Sequence, residues 1–212
     1  MVKTTALLLD LDGTLTDLPI NYPRMRARLR NLFRKHGISA SFSPLLEGID
    51  SACAKAQAKS GRAAAARLRK EAFAIIDNEE VKAAKLAKPV EGALNLLKLA
   101  HTRRMKVAVV SRNCRDCVRT ALKRMGAKGK LAIIARDDVK KPKPDPEQVL
   151  LALRLLKTKP QGAVLVGDTW HDAEAGSRAR IGKVFILGGG RLRKTLKCSA
   201  IESLAQLPDL LE

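Results

Sequence analysis

Four aspartates follow directly after two apolar runs of the sequence. Asp10 and Asp12 close the run ALLLDLD, and Asp168 and Asp172 follow the run AVLVG. Runs of this kind are typical of buried parallel strands, and the ligands of open α/β sheets bind beyond the carboxyl ends of such strands. Four carboxylates gathered there would repel one another strongly. We therefore expect a hard cation such as Mg²⁺ among them, because it takes carboxylate oxygens and also binds substrate phosphates.

The chain from residue 89 onward alternates between helix and strand signals. With the first strand included, the predicted strands are 5–11, 105–110, 131–135, 163–166 and 183–187. The predicted helices after residue 89 are 91–102, 114–125, 145–156 and 171–180. This alternation predicts an α/β fold with a doubly wound parallel sheet.

The stretch between the first strand and this alternating region carries helical signals and no convincing strand. Its predicted helices are 24–36, 43–59, 60–76 and 79–88. The simplest account is a small all-helical cap inserted after the first strand. The expected domains are therefore an α/β core formed by residues 1–17 and 89–212, and a helical cap formed by residues 18–88.

The composition bounds the possible partners. The 212 residues are 46% hydrophobic, which is enough for a sizeable core. No apolar run reaches the roughly eighteen residues of a membrane span, so we expect no membrane partner and a cytoplasmic location. The formal net charge of +20 is unusual, but it is spread along the whole chain. A nucleic-acid partner is therefore not favoured, because clustered basic residues indicate one better than a basic total does.

Four short motifs fall at the ends of predicted strands. They are Asp10-Leu11-Asp12-Gly13-Thr14, Val109-Val110-Ser111-Arg112-Asn113, Lys141-Pro142-Lys143-Pro144 and Gly167-Asp168-Thr169-Trp170-His171-Asp172. Each motif alone is weak, but the four in this order resemble the haloacid dehalogenase (HAD) superfamily. By pattern the chain is similar to the phosphoglycolate phosphatase-like branch, whose helical cap lies between the first two motifs. The resemblance implies a HAD-like, Rossmann-type core.

The resemblance also implies roles for the acidic residues. Asp10 would be the nucleophile, forming an aspartyl-phosphate that splits the reaction into two easier steps. Asp12 would protonate the leaving oxygen and then activate water. Mg²⁺ would be held by Asp10, the backbone carbonyl of Asp12 and Asp168. Asp172 would orient the motif lysine or a metal-bound water.

The third motif offers two lysines for one role, which is to place positive charge on the phosphoryl oxygens. Lys141 is favoured because it immediately precedes the first proline of the motif, as in the branch that the chain resembles. Lys143 is the alternative. We expect Lys141 to be a catalytic residue.

The expected substrate-binding residues come from the first two motifs. They are Gly13, Thr14, Ser111, Arg112 and Asn113. The Ser111 hydroxyl and the backbone N–H groups near Asp12 and Gly13 would donate hydrogen bonds to the phosphate. Arg112 would either meet a distal anionic group of the substrate or cover its own loop.

Together these features predict a Mg²⁺-dependent phosphatase. The expected substrate is a small phosphate monoester, either phosphoglycolate-like or a sugar or nucleotide phosphate, cleaved through an aspartyl-phosphate. An acid at position 12 favours this chemistry, because the dehalogenases and phosphonate-cleaving members of the superfamily lack one. The alternatives are a phosphomutase of the same fold and a basic nucleic-acid-binding or interaction protein on an inactive fold. The sequence leaves the oligomeric state open.

Overall fold

The chain folds into eight β-strands and seven α-helices within residues 3–189 and 197–211, the part described by this computed structural model. The strands are β1 Ala6–Leu9, β2 Thr16–Asp17, β3 Lys88–Pro89, β4 Lys106–Val110, β5 Leu131–Ile134, β6 Ala163–Gly167, β7 Lys183–Leu187 and β8 Ser199–Ile201. The helices are α1 Tyr22–Arg34, α2 Leu45–Ala84, α3 Ala93–Thr102, α4 Arg115–Arg124, α5 Glu147–Leu156, α6 Trp170–Arg178 and α7 Leu207–Leu210.

Six of the strands form one parallel sheet in the order β5-β4-β1-β6-β7-β8. Strand β1 lies between β4 and β6, and Leu9 at its end is paired with Val109 and Val166. The strand ends are therefore aligned, so that the residues after β1, β4 and β6 emerge at the same edge of the sheet. The predicted α/β fold with a doubly wound parallel sheet is confirmed.

The central strands are buried on both faces, which is why their sequences are continuously apolar. Leu8 and Leu165 belong to a core cluster that also contains Val149 from α5 and Ala173 from α6. Leu7 points to the opposite face by the period-2 geometry of a strand, and it is also fully buried. Because both faces of the central strands are buried, the ends of these strands, which carry the acidic motifs, are held in place.

Helix α2 agrees with the sequence expectation at one predicted break and differs at the next. It runs from Leu45 to Ala84, and its helical backbone is broken at Gly61, whose φ of 82° and ψ of 170° are not helical, next to the predicted boundary between 43–59 and 60–76. The helix continues through the second predicted break, between residues 76 and 79. Gly tolerates that positive φ, and no proline follows before Pro89 to end the helix.

Within the described residues, no helix is both long and apolar enough to cross a membrane.

The sequence does not predict two short pieces of sheet that the structure contains. Strands β2 and β3 pair antiparallel in a two-residue ribbon, so Lys88 and Pro89 are extended rather than the end of a helix. Strand β8 adds three residues, two of them exposed, to the edge of the main sheet. Pieces this short carry too little hydrophobic periodicity to be recognised.

The chain divides into two compact units, one formed by residues 1–18 and 84–212 and the other by residues 19–83. The second boundary lies five residues before the expected one at 88/89, because α2 ends at Ala84 and the chain then passes into β3. Residues 19–83 have their own apolar core, in which Phe33 and Phe42 pack with their ring centroids 5.6 Å apart.

Two arginines of α1, Arg24 and Arg28, form ion pairs within this helical unit. Glu79 of α2 is 6% exposed, and it accepts a hydrogen bond of 2.8 Å from Arg28 Nη1. Arg24 Nε and Lys82 Nζ lie 3.8 and 3.6 Å from the same carboxylate oxygen. A buried carboxylate is tolerated only when cations and donors surround it, so this cluster joins α1 to the end of α2.

We predict that Glu79→Gln lowers the free energy of unfolding by about 1–3 kcal/mol, because the amide keeps the shape but loses the charge that offsets the nearby cations. Urea unfolding followed by circular dichroism measures this. The control is Glu71→Gln, which removes an exposed charge from the same helix and should change stability by less than about 0.5 kcal/mol. Equal effects of the two substitutions would contradict the structural role of Glu79.

Candidate active site

The loop after β1 places Asp10 at the centre of the sheet edge. The Asp10 N–H donates a hydrogen bond of 2.9 Å to the carbonyl of Val166, which continues the β1–β6 pairing, and Asp10 is 8% exposed. Gly13 follows in a tight turn with a φ of +80°. A Cβ on Gly13 would lie 2.2 Å from Asp168 Oδ2, so a side chain there would displace Asp168.

Lys143 joins the acids that follow β1 and β6. Its Nζ lies 2.7 Å from Asp10 Oδ1 and 2.5 Å from Asp172 Oδ1, and its side chain is 1% exposed. Burial by itself would lower the pKa of Lys143, but Asp10 and Asp172 outweigh burial and raise the pKa. The ammonium group is therefore held in its charged form between two carboxylates.

Asp172 has both carboxylate oxygens occupied. Its Oδ1 accepts from Lys143, and its Oδ2 accepts from the Thr169 N–H at 3.2 Å and the Thr169 hydroxyl at 2.7 Å. A Cβ on Gly167 would lie 2.2 Å from Asp172 Cγ, so β6 must end in glycine for Asp172 to reach this position. With these contacts Asp172 is suited to orient a lysine, and the lysine that it contacts is Lys143.

Asp168 has an oxygen that no donor reaches. Its Oδ1 is buried without a hydrogen-bond partner among the described residues. Carboxylate oxygens of Asp10, Asp168 and Asp172 all lie within 4.8 Å of one another. Burial and the neighbouring charges of Asp10 and Asp172 raise the pKa of Asp168 to about 8. An unsatisfied oxygen among three acids fits a hard divalent cation.

The pKa of Asp10 is raised to about 6, mainly by burial. Lys143 opposes this rise, and Asp172 adds to it. Asp10 therefore remains ionised near neutral pH because Lys143 is next to it. This charge state suits a carboxylate nucleophile.

Lys143, the alternative lysine of the third motif, is the one that contacts Asp10 and Asp172, while Lys141 lies elsewhere. Lys141 is exposed, and its backbone N–H donates to Glu147 Oε2 at 2.9 Å. Backbone N–H groups of Lys140 and Lys141 lower the pKa of Glu147. The anchored backbone leaves Lys141 at the surface, and the chain turns inward only at Lys143, two residues later.

The expected substrate-binding side chains lie in the loops after β1 and β4. Ser111 Oγ is buried at the end of β4 and lies 2.9 Å from Asn113 Oδ1, while the Asn113 N–H donates back to Ser111 Oγ at 3.1 Å. Thr14 Oγ1 is buried and has no hydrogen-bond partner among the described residues. Arg112 is half-buried in the loop after β4. These side chains follow β1 and β4, at the edge where Asp10 lies.

Gly13 and Asp12 make contacts within the loop after β1. The Gly13 N–H donates to the Thr16 carbonyl at 2.8 Å, so it is not available to a phosphate in this conformation. The absence of a side chain at Gly13 leaves room for Asp168. The Asp12 side chain is outside the group of three acids, and its Oδ1 accepts from the Leu18 N–H at 3.1 Å.

Sequence reasoning missed two buried residues that brace the site. Gln148 of α5 contacts both the third-motif loop and the end of β4. Arg136, just after β5, donates from Nη1 to the Arg112 carbonyl at 2.7 Å, and its N–H donates to the Asn113 carbonyl at 3.0 Å. Neither residue lies in a recognised motif, and an isolated Gln or Arg carries no signal by type alone.

The chain matches known proteins in sequence. A family model for haloacid dehalogenase-like hydrolases matches residues 7–186. The pyrophosphatase PpaX of Bacillus velezensis is 43% identical over 75 residues, which is 35% of this chain and 35% of that protein. The chain thus matches only about a third of the length of this curated relative.

Solved structures share the fold at low identity. A variant of CbbY from Rhodobacter sphaeroides, in complex with xylulose-(1,5)bisphosphate, has a TM-score of 0.67 at 19% identity and covers 96% of each chain. A HAD-superfamily hydrolase from Ehrlichia chaffeensis has a TM-score of 0.59 at 19% identity, covering 100% of this chain and 97% of that one. The sequence-based resemblance is confirmed: the chain belongs to the haloacid dehalogenase-like hydrolases.

Proposed function

We propose that this protein is a Mg²⁺-dependent phosphatase that hydrolyses a small phosphorylated metabolite through a phosphorylated Asp10. The observation that carries the proposal is the arrangement of Lys143 between Asp10 and Asp172, beside an Asp168 oxygen that receives no hydrogen bond from the described part of the chain. Structural ion pairs are normally satisfied on both sides, whereas this cluster retains more negative charge than its one lysine offsets. Excess charge in a buried cluster at a sheet edge is typical of catalytic sites.

In the first step, Asp10 would attack phosphorus with the oxygen that does not bind Lys143. The new bond is between Asp10 and phosphorus, and the bond that breaks joins phosphorus to the leaving oxygen. Asp12 would donate a proton to that oxygen as it departs. Lys143 would stabilise the negative charge on the phosphoryl oxygens in the transition state.

In the second step, water would release phosphate from Asp10. Asp12, now ionised, would accept a proton from the water while the water oxygen bonds to phosphorus. The bond between phosphorus and Asp10 breaks, which restores the Asp10 carboxylate and yields inorganic phosphate. The buried Thr14 hydroxyl has no hydrogen-bond partner among the described residues and is suited to donate to a phosphoryl oxygen. The Ser111 hydroxyl would do so by exchanging its hydrogen bond to Asn113 Oδ1 for one to the phosphate.

Asp10 and Asp168 would hold Mg²⁺, together with the Asp12 carbonyl. The ion supplies positive charge that lets a carboxylate approach a phosphate dianion. Asp172 is not proposed as a direct ligand, because Lys143 and Thr169 already occupy both of its oxygens.

Two comparisons support the class of substrate. PpaX is named a pyrophosphatase, and the CbbY variant binds a sugar bisphosphate. Small compounds with at least one accessible phosphoryl group are therefore the proposed partners. The assay panel should contain phosphoglycolate, sugar phosphates, nucleotides and pyrophosphate. A phosphomutase would return the phosphoryl group to a sugar, so released phosphate distinguishes the two activities.

We predict phosphate release from at least one compound of this panel, or from p-nitrophenyl phosphate, in the presence of Mg²⁺. Asp10→Asn should lower kcat by more than about 10³-fold, because an amide cannot act as the nucleophile. A malachite-green assay for phosphate measures both. Turnover that survives in the Asp10→Asn variant, or none in the wild type with Mg²⁺, Mn²⁺ or Co²⁺, would contradict the proposal.

The two lysines of the third motif form a matched pair. We predict that Lys143→Ala lowers kcat by at least about 10²–10³-fold, as expected for loss of a group that stabilises transition-state charge. Lys141→Ala removes the same charge two residues away at the surface and should stay within about twofold of the wild type. Steady-state kinetics on one substrate compares them. A greater loss for Lys141→Ala would restore the original sequence preference.

We predict that Mg²⁺ stabilises the protein more at pH 8.5 than at pH 6.5. The pKa of Asp168 is raised to about 8 without a cation, so at lower pH a proton must leave before the ion can bind. The rise in Tm with Mg²⁺ measures the effect, which is about 2.7 kcal/mol at a concentration 100 times Kd. Asp168→Asn should abolish the Mg²⁺-induced rise at both pH values. A rise that is independent of pH, or that persists in this variant, would contradict the assignment.

A further inference from the structure

Gln148 of α5 bridges two parts of the site through a fully buried side chain. Gln148 is 0% exposed. Its Oε1 accepts the backbone N–H of Lys143 at 2.9 Å, and its Nε2 donates to the Ser111 carbonyl at 2.7 Å. Nε2 also lies 3.5 Å from the Ile134 carbonyl at the end of β5. One amide thus links the lysine loop to the ends of β4 and β5.

The loop around Lys143 has few backbone N–H groups that can hold it in place. Pro142 and Pro144 flank Lys143, and proline has no N–H to donate. The Lys143 N–H is therefore the only backbone donor of residues 142–144, and Gln148 accepts it. The Pro142 carbonyl accepts from the Asp145 N–H at 3.2 Å, which shapes the loop but does not tie it to the sheet.

The buried amide of Gln148 accepts one hydrogen bond and donates another, and neither Glu nor Met makes both. Glu at this position would accept from Lys143 but oppose the Ser111 carbonyl, and Met would fill the space without either hydrogen bond. Catalytic groups lose efficiency when they move by about 1 Å, since the transition state demands close geometry. The backbone position of Lys143 determines where its ammonium group lies relative to Asp10.

We propose that Gln148 is a positioning residue, which holds Lys143 against the sheet so that its ammonium group reaches Asp10 and the phosphoryl oxygens. This inference rests on the proposed phosphatase function. Gln148 touches neither substrate nor metal; it acts through Lys143. Its loss should therefore weaken transition-state stabilisation while sparing ion binding by Asp10 and Asp168.

The test compares Gln148→Met with Gln206→Met. Gln206 is an exposed residue outside the site, and its Oε1 accepts the N–H groups of Glu202 and Ser203 at 2.7 and 3.2 Å, so its replacement removes amide-to-backbone hydrogen bonds without touching the lysine loop. With p-nitrophenyl phosphate and Mg²⁺, Gln148→Met should lower kcat by about 10–100-fold and change KM by less than about threefold. Inhibition by vanadate should weaken by a similar factor. Gln206→Met should keep the wild-type kcat.

Two further measurements separate positioning from general damage. The Mg²⁺ Kd from calorimetry should stay within about twofold of the wild type in Gln148→Met. A crystal structure of this variant should show Lys143 Nζ withdrawn from Asp10 by about 1 Å or more. An unchanged kcat, an equal loss of Mg²⁺ affinity, or an unmoved Lys143 would overturn the inference.

The outcome for the wild type tests the proposed function separately. If the wild type hydrolyses nothing, the proposed phosphatase function fails, and the crystal structure of Gln148→Met still decides whether Gln148 positions Lys143. If the variant does not fold, Gln148→Glu keeps the acceptor for the Lys143 N–H. It should then retain more activity and a less displaced Lys143 than any variant without an acceptor, such as Gln148→Leu. Equal displacement in the two would also overturn the inference.

Discussion

The ion-pair cluster of Lys143 with Asp10 and Asp172 is the interaction on which the site depends. Two of the carboxylates contact the single ammonium group, and that of Asp168 has an oxygen within 4.8 Å of theirs, so ionisation of all three leaves an excess of negative charge. Burial makes that excess costly, which is why the pKa of Asp168 is raised to about 8 and that of Asp10 to about 6. The cluster is stable enough to exist but is incomplete without further positive charge. A divalent metal ion fits this requirement, and the approach of an anionic phosphate increases the need for it.

The fold meets this constraint by bringing distant parts of the chain to one edge. Asp10 and Asp172 are far apart in sequence, and they meet because β1 and β6 are adjacent parallel strands that end at the same level. Glycines at positions 13 and 167 let the acids approach, since a Cβ at either would collide with a carboxylate. The stability of the buried sheet therefore holds like charges close together, as expected for a preorganised site.

The sequence was sufficient for the fold and for the acids, and for a physical reason. Buried parallel strands carry continuous apolar runs, and the residues after them must share an edge, so three of the four expected acids, Asp10, Asp168 and Asp172, could be placed together from the sequence. The sequence could not show which of Lys141 and Lys143 lies beside the acids, because residues two apart in an irregular loop have no periodicity that assigns them to a side. Gln148 could not be found because its role depends on the distance between α5 and a proline-flanked loop. The short ribbon of β2 and β3 and the edge strand β8 were missed because few residues define them.

The central claim is that Asp10 becomes covalently phosphorylated during turnover. Acid quenching during steady-state turnover of a good substrate, followed by borohydride reduction, converts an aspartyl-phosphate into homoserine, which peptide mass spectrometry locates. We predict homoserine at position 10 in the wild type with Mg²⁺ and substrate, and none when either is omitted. Continued turnover with no modified residue, or with the modification at another acid, would contradict the account.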